Sequence, residues 1–319
     1  MAERRCIAAR SCAPGLLSSL RGLMSGAITV TFHGVRGSTP CDEPHSAGIG
    51  GNTSCVVIEA EDQTPVILDL GTGLRRYGMS LLESGAASDF RGSVLLSHLH
   101  WDHVQGLPFF EPLHDSTSML DIYGPEQPEG PLCEVFAGFM RPPFFPIRPE
   151  GLAGTVAFHD VGNGEFQVGR ARVSSRWVRH IGPTLGFRIE IDGVAVAYVP
   201  DHGQGCVEGT PEDYVPNDVV ELCRDVDLLI HDAQHTAQEF EAKRHWGHCT
   251  PEYAVNVASA SSVRRLALFH HDPCHDDVAV EKIEREAREH ASESGLTEVF
   301  AACEGMVVTI GTTTENGER

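Results

Sequence analysis

Short apolar runs separated by turn residues dominate the chain after residue 26. The first three are AITVTF, SCVVIEA and PVILDLG, with Gly, Pro or Asp residues between them. Runs of this length between turn signals predict buried β-strands. The same pattern recurs downstream in SVLLSHLH, MLDIYG, TVAFHD, ARVSSRWV, TLGFRIEI, VAVAYVPD, VDLLIHDA, RRLALFHH, EVFAAC and MVVTIG. In FRIEIDGVAVAYV an Asp-Gly pair joins two such runs, which predicts a tight hairpin.

Two segments carry the helical spacing of apolar residues instead. PEYAVNVASAS follows Thr250, a suitable N-cap for a helix that begins with proline. DDVAVEKIEREAREHASESG is amphipathic and ends at a glycine. Polar residues that come only at the carboxyl end of a buried strand, as in SVLLSHLH, are typical of the α/β fold class. The sequence shows no short-period repeat of the kind that indicates a solenoid or a propeller.

Histidine and aspartate residues follow one of the predicted strands in the segment HLHWDH. His98 and His100 are separated by one residue at the strand end, so their side chains point to the same side. Asp102 and His103 come directly afterwards, where Gly106 gives the chain room to turn. Packing alone rarely concentrates so many ligand-type residues, and imidazole with carboxylate suits zinc or manganese. The segment therefore predicts a metal site.

The composition is strongly acidic, with a formal net charge of -21 over 319 residues. This field repels phosphate backbones, so we expect no long nucleic acid as a partner. The 10 cysteines are scattered without metal-ligand spacing, which is typical of reduced thiols in a cytoplasmic protein. Apolar runs stay well below the roughly 20 residues of a membrane-spanning helix, so we expect no membrane partner.

The turn signals divide the chain into an extension, residues 1–25, and one domain, residues 26–319. The extension is poor in acidic residues, as a transit peptide would be, but Met24 is an equally simple start for the protein. Residues 125–154 are dense in Pro, Gly and Phe, which favours an irregular flap. Two interpretations of this flap stay open: it covers a pocket, or it packs as a surface loop.

The H-x-H-x-D-H segment resembles the signature of the metallo-β-lactamase superfamily, whose fold is a four-layered αββα sandwich. The resemblance implies that His98, His100 and His180 hold one metal, that Asp102, His103 and His270 hold a second, and that Asp201 bridges both. His271 is the alternative to His270, because a slip of one residue reverses the facing of a strand. Asp69, after another strand, is expected to orient a ligand histidine.

The segment HWGHCTPEYAVNVA resembles an element of ribonuclease Z and its phosphodiesterase relatives, with Cys249 in place of the usual serine. The resemblance assigns catalytic roles to His248, which assists the leaving oxygen, and to Asp102, which completes the second metal site. FHGVRGSTP and GIGGNTSC are similar to phosphoribosyl cyclic phosphodiesterase-like proteins. Within them, Arg36 and the turn at residues 50–52 either contact a phosphate or only shape the backbone.

Together these features predict a metal-dependent phosphodiesterase with two divalent ions, zinc or alternatively manganese. The expected substrate is a small phosphodiester such as a cyclic nucleotide or a cyclic ribose phosphate. Other hydrolysis by the same fold, on thioesters or lactams, is an alternative. Ribonuclease Z-like processing of tRNA is another, although only a short glycine-rich link, VGNGEF, replaces the protruding arm. A non-enzymatic sensor is the third. Relatives often dimerise, so a homodimer is also expected.

Overall fold

Two seven-stranded β-sheets form the centre of the computed structural model, which describes residues 26–205 and 211–311. The strands are β1 (Ile28–Gly34), β2 (Cys55–Ala60), β3 (Val66–Leu68), β4 (Arg91–Leu95), β5 (Met119–Pro125), β6 (Thr155–Val161), β7 (Gly164–Val168), β8 (Ala171–Trp177), β9 (Leu185–Ile191), β10 (Val194–Val199), β11 (Leu228–Asp232), β12 (Arg265–Phe269), β13 (Glu298–Ala301) and β14 (Val307–Ile310). The first sheet has the order β14-β1-β2-β3-β4-β5-β6 and the second the order β13-β12-β11-β10-β9-β8-β7. The predicted extension, residues 1–25, lies outside the described residues.

Helices cover the outer faces of both sheets. They are α1 (Gly73–Ser84), α2 (Trp101–Val104), α3 (Leu132–Phe136), α4 (Asn217–Cys223), α5 (Ala237–Lys243), α6 (Pro251–Ala260) and α7 (Asp277–His290). Residues of the two sheets share one buried cluster, whereas α1 and α3 pack on the first sheet and α4, α6 and α7 on the second. This four-layered αββα arrangement confirms the predicted fold class. Among the described residues, no helix has the length and apolar character needed to span a membrane.

Strand β10 shows why a continuous apolar run forms a central strand. All six residues of VAVAYV are buried. Val196 and Tyr198 face the core between the sheets, and Ala197 and Val199 face the cluster beneath the outer helices. A strand covered on both faces needs apolar side chains at every position, because successive side chains point to opposite faces.

Parallel strands bring the polar residues of the chain to one edge. Strands β3 to β6 pair in parallel in the first sheet, and strands β10 to β13 do so in the second. Asp69 follows β3, His98 follows β4, Asp201 follows β10, Asp232 ends β11 and His270 follows β12. Since the carboxyl ends of parallel strands meet at one edge, these residues lie close together.

The predicted hairpin turn and helix N-cap agree with the structure, whereas the predicted end of the last helix does not. Asp192 and Gly193 have φ values of 52° and 85°, as expected for the primed turn that joins β9 to β10. The Thr250 side chain caps α6 by accepting a hydrogen bond from the Tyr253 N–H. Helix α7 ends at His290, before the glycine at 295 that the sequence indicated.

Other elements differ from the sequence predictions. The link VGNGEF contains the start of β7, an edge strand that pairs only with β8 in the described sheet. The sequence analysis missed this strand because it is short, lies next to glycines and has partly exposed residues. Helices α1 to α5 were not predicted either. The flap, residues 125–154, includes α3, and it buries Phe136 and Met140 while leaving Phe144 69% exposed. It is therefore partly core and partly surface.

Candidate metal centre

The seven residues assigned by the resemblance lie together at the edge of the two sheets. His98 and His100 follow β4, and α2 then carries Asp102 and His103. One ligand-type atom from each member of two groups lies within 4.8 Å of the others in its group. The first group is His98, His100, His180 and Asp201, and the second is Asp102, His103 and His270. A third set that overlaps both, Asp201, His248 and His270, meets the same distance. The structure therefore places the residues in the two sets that the sequence assigned to two metals.

Asp201 lies between the two groups and presents one oxygen to each. Its Oδ1 is 3.1 Å from His103 Nε2 and 3.3 Å from His270 Nε2. Its Oδ2 is 3.4 Å from His180 Nε2 and 3.7 Å from His98 Nε2. A carboxylate placed in this way can bridge two cations.

Several polar atoms at the centre of the cluster form no hydrogen bond within the described part of the chain and are suited to coordinate divalent cations. Both oxygens of Asp201 and the Nε2 atom of His98 are buried and have no hydrogen-bond partner among the described residues. Leaving a buried polar group unpaired costs about 1–3 kcal/mol, more when it is charged. Five imidazoles and two carboxylates form a donor set suited to zinc or manganese. The residues present therefore fit two divalent ions.

Three ligand histidines are neutral and Asp201 is ionised. Burial, together with the neighbouring His180, lowers the pKa of His100 to about 4. Burial also lowers the pKa of His98 and of His180. Although burial acts to raise the pKa of Asp201, the surrounding histidines hold it well below its ordinary value. Neutral imidazoles and an ionised carboxylate are the forms that coordinate a metal.

His103 differs from these ligands in its protonation. Burial acts to lower the pKa of His103, but the carboxylates of Asp102, Asp201 and Asp69 raise it well above its ordinary value. His103 must therefore release a proton when a cation binds.

Asp69 orients two of the ligand histidines in the first sheet. Its Oδ2 lies 2.7 Å from His103 Nδ1 and also accepts hydrogen bonds from Ser97 Oγ and from the Tyr198 hydroxyl. The Ser97 Oγ atom in turn lies 3.0 Å from His98 Nδ1. This network leaves the Nε2 atoms of His98 and His103 directed to the centre, as the sequence predicted for Asp69.

Backbone groups and one amide orient three of the remaining ligands. The Nδ1 atom of His270 lies 2.9 Å from Gln234 Oε1, and that of His180 lies 2.7 Å from the Gly247 carbonyl oxygen. The Ser38 N–H donates to Asp102 Oδ2 at 2.7 Å. The sequence analysis missed Gln234 and Gly247, because neither belongs to a ligand-like motif.

His270 and His271 follow β12 directly but face opposite ways. His270 Nε2 is 3.1 Å from Asp102 Oδ2 and 3.2 Å from His103 Nε2. His271 Nε2 instead bonds the Ala302 carbonyl oxygen at 3.0 Å. Burial and the nearby Arg36 lower the pKa of His271 to about 3, so its imidazole is neutral. The geometry favours His270 as the ligand.

His248 lies beside the cluster and is held by a carboxylate that the sequence analysis missed. Its Nδ1 is 2.9 Å from Asp232 Oδ2, and its ring centroid lies 5.0 Å from those of His180 and His270. Burial alone would lower the pKa of His248, but Asp232 and then Asp201 raise it to about 8. The imidazole therefore lies next to the candidate metal centre with its Nδ1 bound to a carboxylate. Cys249 donates to the Asp232 carbonyl oxygen at 3.1 Å.

Arg36 does not face the candidate site, so the phosphate-contact interpretation is wrong for this residue. Its side chain is fully buried. Its Nε donates to the Gly50 carbonyl at 2.8 Å, and its Nη1 donates to the carbonyls of Asp272 and His275 at 3.1 and 2.7 Å. The guanidinium thus joins the connection between β1 and β2 to the loop between β12 and α7. Gly50, with φ 100°, serves the turn.

Replacing Arg36 by methionine is expected to destabilise the fold. The change leaves three buried carbonyl oxygens without their donor, which we expect to lower the free energy of unfolding by about 3 kcal/mol or more. Chemical denaturation would measure this loss, with the exposed Arg285→Met as the matched control. If the variant kept its stability but lost hydrolytic activity, Arg36 would instead contact the substrate.

The fold and the candidate centre define a metal-dependent hydrolase of the αββα type. Residues 83–271 match the family described as the beta-lactamase superfamily domain, and the chain belongs to this family. The resemblance stated from the sequence is thereby confirmed, and the protein is an enzyme, a metal-dependent hydrolase.

The similar proteins include ribonuclease Z enzymes and a solved structure of the same fold. Ribonuclease Z of Haloferax volcanii is 30% identical over 244 residues, which is 66% of this chain and 76% of that protein. Ribonuclease Z of Natronomonas pharaonis is 27% identical over 278 residues, covering 76% and 86% of the two chains. The metallo-beta-lactamase fold protein YhfI of Bacillus subtilis aligns with a TM-score of 0.66 at 18% identity, over 89% of this chain and all of that one.

Proposed function

We propose that this protein hydrolyses small phosphodiesters at a centre of two divalent metal ions, with zinc as the first candidate and manganese as the second. The observation that carries the proposal is the His248–Asp232 pair beside the candidate ligands. A protonated imidazole at this position suits a reaction in which an alkoxide leaves a phosphate. Homology to ribonuclease Z, an enzyme that acts on RNA, supports a phosphodiester as the substrate.

The residues of the chain divide the chemistry between them. Two divalent cations, when bound, supply the charge that activates water and neutralises a phosphate. The assigned ligands would hold these cations, and Asp201 faces the histidines of both groups. Asp102 completes the second ligand group, with its Oδ2 3.1 Å from His270 Nε2. His248 donates a proton to the leaving oxygen, and Asp232 fixes its ring so that Nε2 faces the substrate.

The charge of the chain favours small diesters over tRNA. A net charge of -21 opposes the approach of a long polyanion. In the described structure β6 ends at Val161 and β7 begins at Gly164, so no arm protrudes between them. A small substrate carries one reacting phosphate and is neutralised by the two cations alone.

Ribonuclease Z-like processing is the second candidate, and the identity to the archaeal enzymes favours it. The two functions differ in substrate length, since both require the same centre. A sensor without turnover is not favoured, because the seven ligand-type residues and the His248–Asp232 pair are all in place.

A panel of substrates separates these candidates. We expect zinc- or manganese-dependent hydrolysis of 2′,3′- and 3′,5′-cyclic nucleotides, of cyclic ribose phosphate and of a chromogenic diester. We expect a kcat/KM at least tenfold lower for a precursor tRNA, because its backbone is repelled. A β-lactam and a thioester serve as control substrates. Faster cleavage of the precursor tRNA than of any small diester would select the ribonuclease function, and turnover of the control substrates alone would reject both.

A further inference from the structure

An apolar cavity of about 250 Å³ lies against α2, the helix that also carries Asp102 and His103. Its walls include Trp101 and Phe109 around α2, and Phe139, Phe144 and Phe145 from the flap, residues 125–154. Trp101 is 67% exposed, Phe109 54% and Phe144 69%. Three large aromatic side chains exposed around one cavity are unusual on a protein surface and mark binding sites.

The cavity is built on the same two segments as the metal centre. Trp101 stands between His100 and Asp102, one from each candidate ligand group, and consecutive Cα atoms are only about 3.8 Å apart. Thr72, another lining residue, lies three residues after Asp69, which bonds His103. Both segments therefore carry residues of the cavity and residues of the metal centre.

Two polar side chains in the wall can form hydrogen bonds to a bound ligand. Arg75 and Gln105 line it, and within the described residues no carboxylate pairs with Arg75. A guanidinium and an amide are the side-chain groups that hydrogen-bond to the edges of nucleobases. A volume of about 250 Å³ is below the roughly 300–1,000 Å³ of pockets for whole drug-sized ligands, so a single ring system is the better fit.

We infer that this cavity binds the planar aromatic base of a nucleotide substrate, between the aromatic side chains of α2 and those of the flap. The inference rests on the proposed function and narrows it, because it selects nucleotides over base-free ribose phosphates. Stacking on Phe144 and Phe109 supplies the affinity, and Arg75 and Gln105 bind the edge of the ring. The flap then acts as part of the substrate site.

The test compares two probes that share a sugar phosphate and differ in the base. Calorimetry would measure binding of adenosine 5′-monophosphate and of ribose 5-phosphate to the metal-loaded protein. We expect the nucleotide to bind at least tenfold more tightly, as one base stack on an aromatic side chain provides. Phe144→Ala and, separately, Phe109→Ala should weaken nucleotide binding several-fold and leave ribose 5-phosphate unchanged. Leu82→Ala, an exposed apolar residue on α1, is the matched control.

The outcomes distinguish this inference from the proposed function. Equal binding of the two probes, or variants that weaken both equally, would overturn the base site even if diesters are hydrolysed. A preference for the nucleotide that is lost in the variants, without turnover of any diester, would uphold the cavity and reject the phosphodiesterase. If Phe144→Ala dissociates a dimer in sedimentation while the preference for the nucleotide persists, the cavity is an interface between copies and the inference is wrong.

Discussion

Alanine in place of His248 is expected to lower kcat for a ribose-derived cyclic diester by about 10²–10⁴-fold, the usual contribution of a positioned proton donor. The leaving alkoxide is a strong base and needs the proton that Nε2 of His248 supplies. The Asp232 carboxylate, 2.9 Å from Nδ1, holds the ring in that orientation. We expect metal content to remain unchanged, because both assigned ligand groups are complete without His248, which lies within the same 4.8 Å of Asp201 and His270. Loss of metal in this variant would instead make His248 a ligand.

The choice of leaving group makes this prediction specific. A p-nitrophenyl diester releases a much weaker base, so we expect His248→Ala to slow its hydrolysis far less. The exposed His245, three residues earlier, is the matched control, and His245→Ala should behave like the unaltered protein. An equal loss on both substrates would mean that His248 only shapes the site. Unchanged turnover of both would remove it from the reaction.

The pair His270→Ala and His271→Ala is expected to give opposite results. His270 faces Asp102, His103 and Asp201, so its loss should lower metal affinity and kcat by more than about 100-fold. Replacing the outer partner of a ligand already costs about 10–100-fold. His271 bonds the Ala302 carbonyl, so its replacement should lower thermal stability and keep the metal.

Mass spectrometry would measure the metal content of the two variants, and thermal unfolding would measure their melting temperatures. The neighbouring residues serve as controls for each other, because both imidazoles are buried at the end of β12. Loss of metal only in His271→Ala would reverse the assignment. Loss in both variants would show that the metal depends on the local fold of this loop rather than on one ligand.

The sequence predicted those parts of the structure whose signal is local. Strand β10 is an unbroken apolar run because both of its faces are covered, and Asp192-Gly193 and Thr250 mark a turn and a cap by their own chemistry. His98 and His100 are two residues apart in an extended segment, so their side chains point to one side. The resemblance to a known superfamily supplied His180, Asp201 and His270, which spacing alone could not connect.

The features missed by the sequence analysis depend on tertiary contacts. Asp232 and Gln234 are ordinary polar residues after a strand until the fold brings His248 and His270 against them. Arg36 resembles a phosphate-binding cation by charge, yet its partners are three carbonyl oxygens, two of them more than 230 residues away along the chain. Strand β7 is short, and it becomes recognisable only by its pairing with β8.

The measurement that tests the central claim most directly is a metal titration that follows occupancy and diester hydrolysis in one sample. Chelator-treated protein would receive zinc in steps, with native mass spectrometry for stoichiometry and a cyclic nucleotide as substrate, and the series would be repeated with manganese. We predict that hydrolysis rises to a plateau as occupancy reaches two ions per chain, one for each ligand group. Full activity without added metal, saturation at one ion, or two bound ions without hydrolysis of any diester would contradict a binuclear phosphodiesterase.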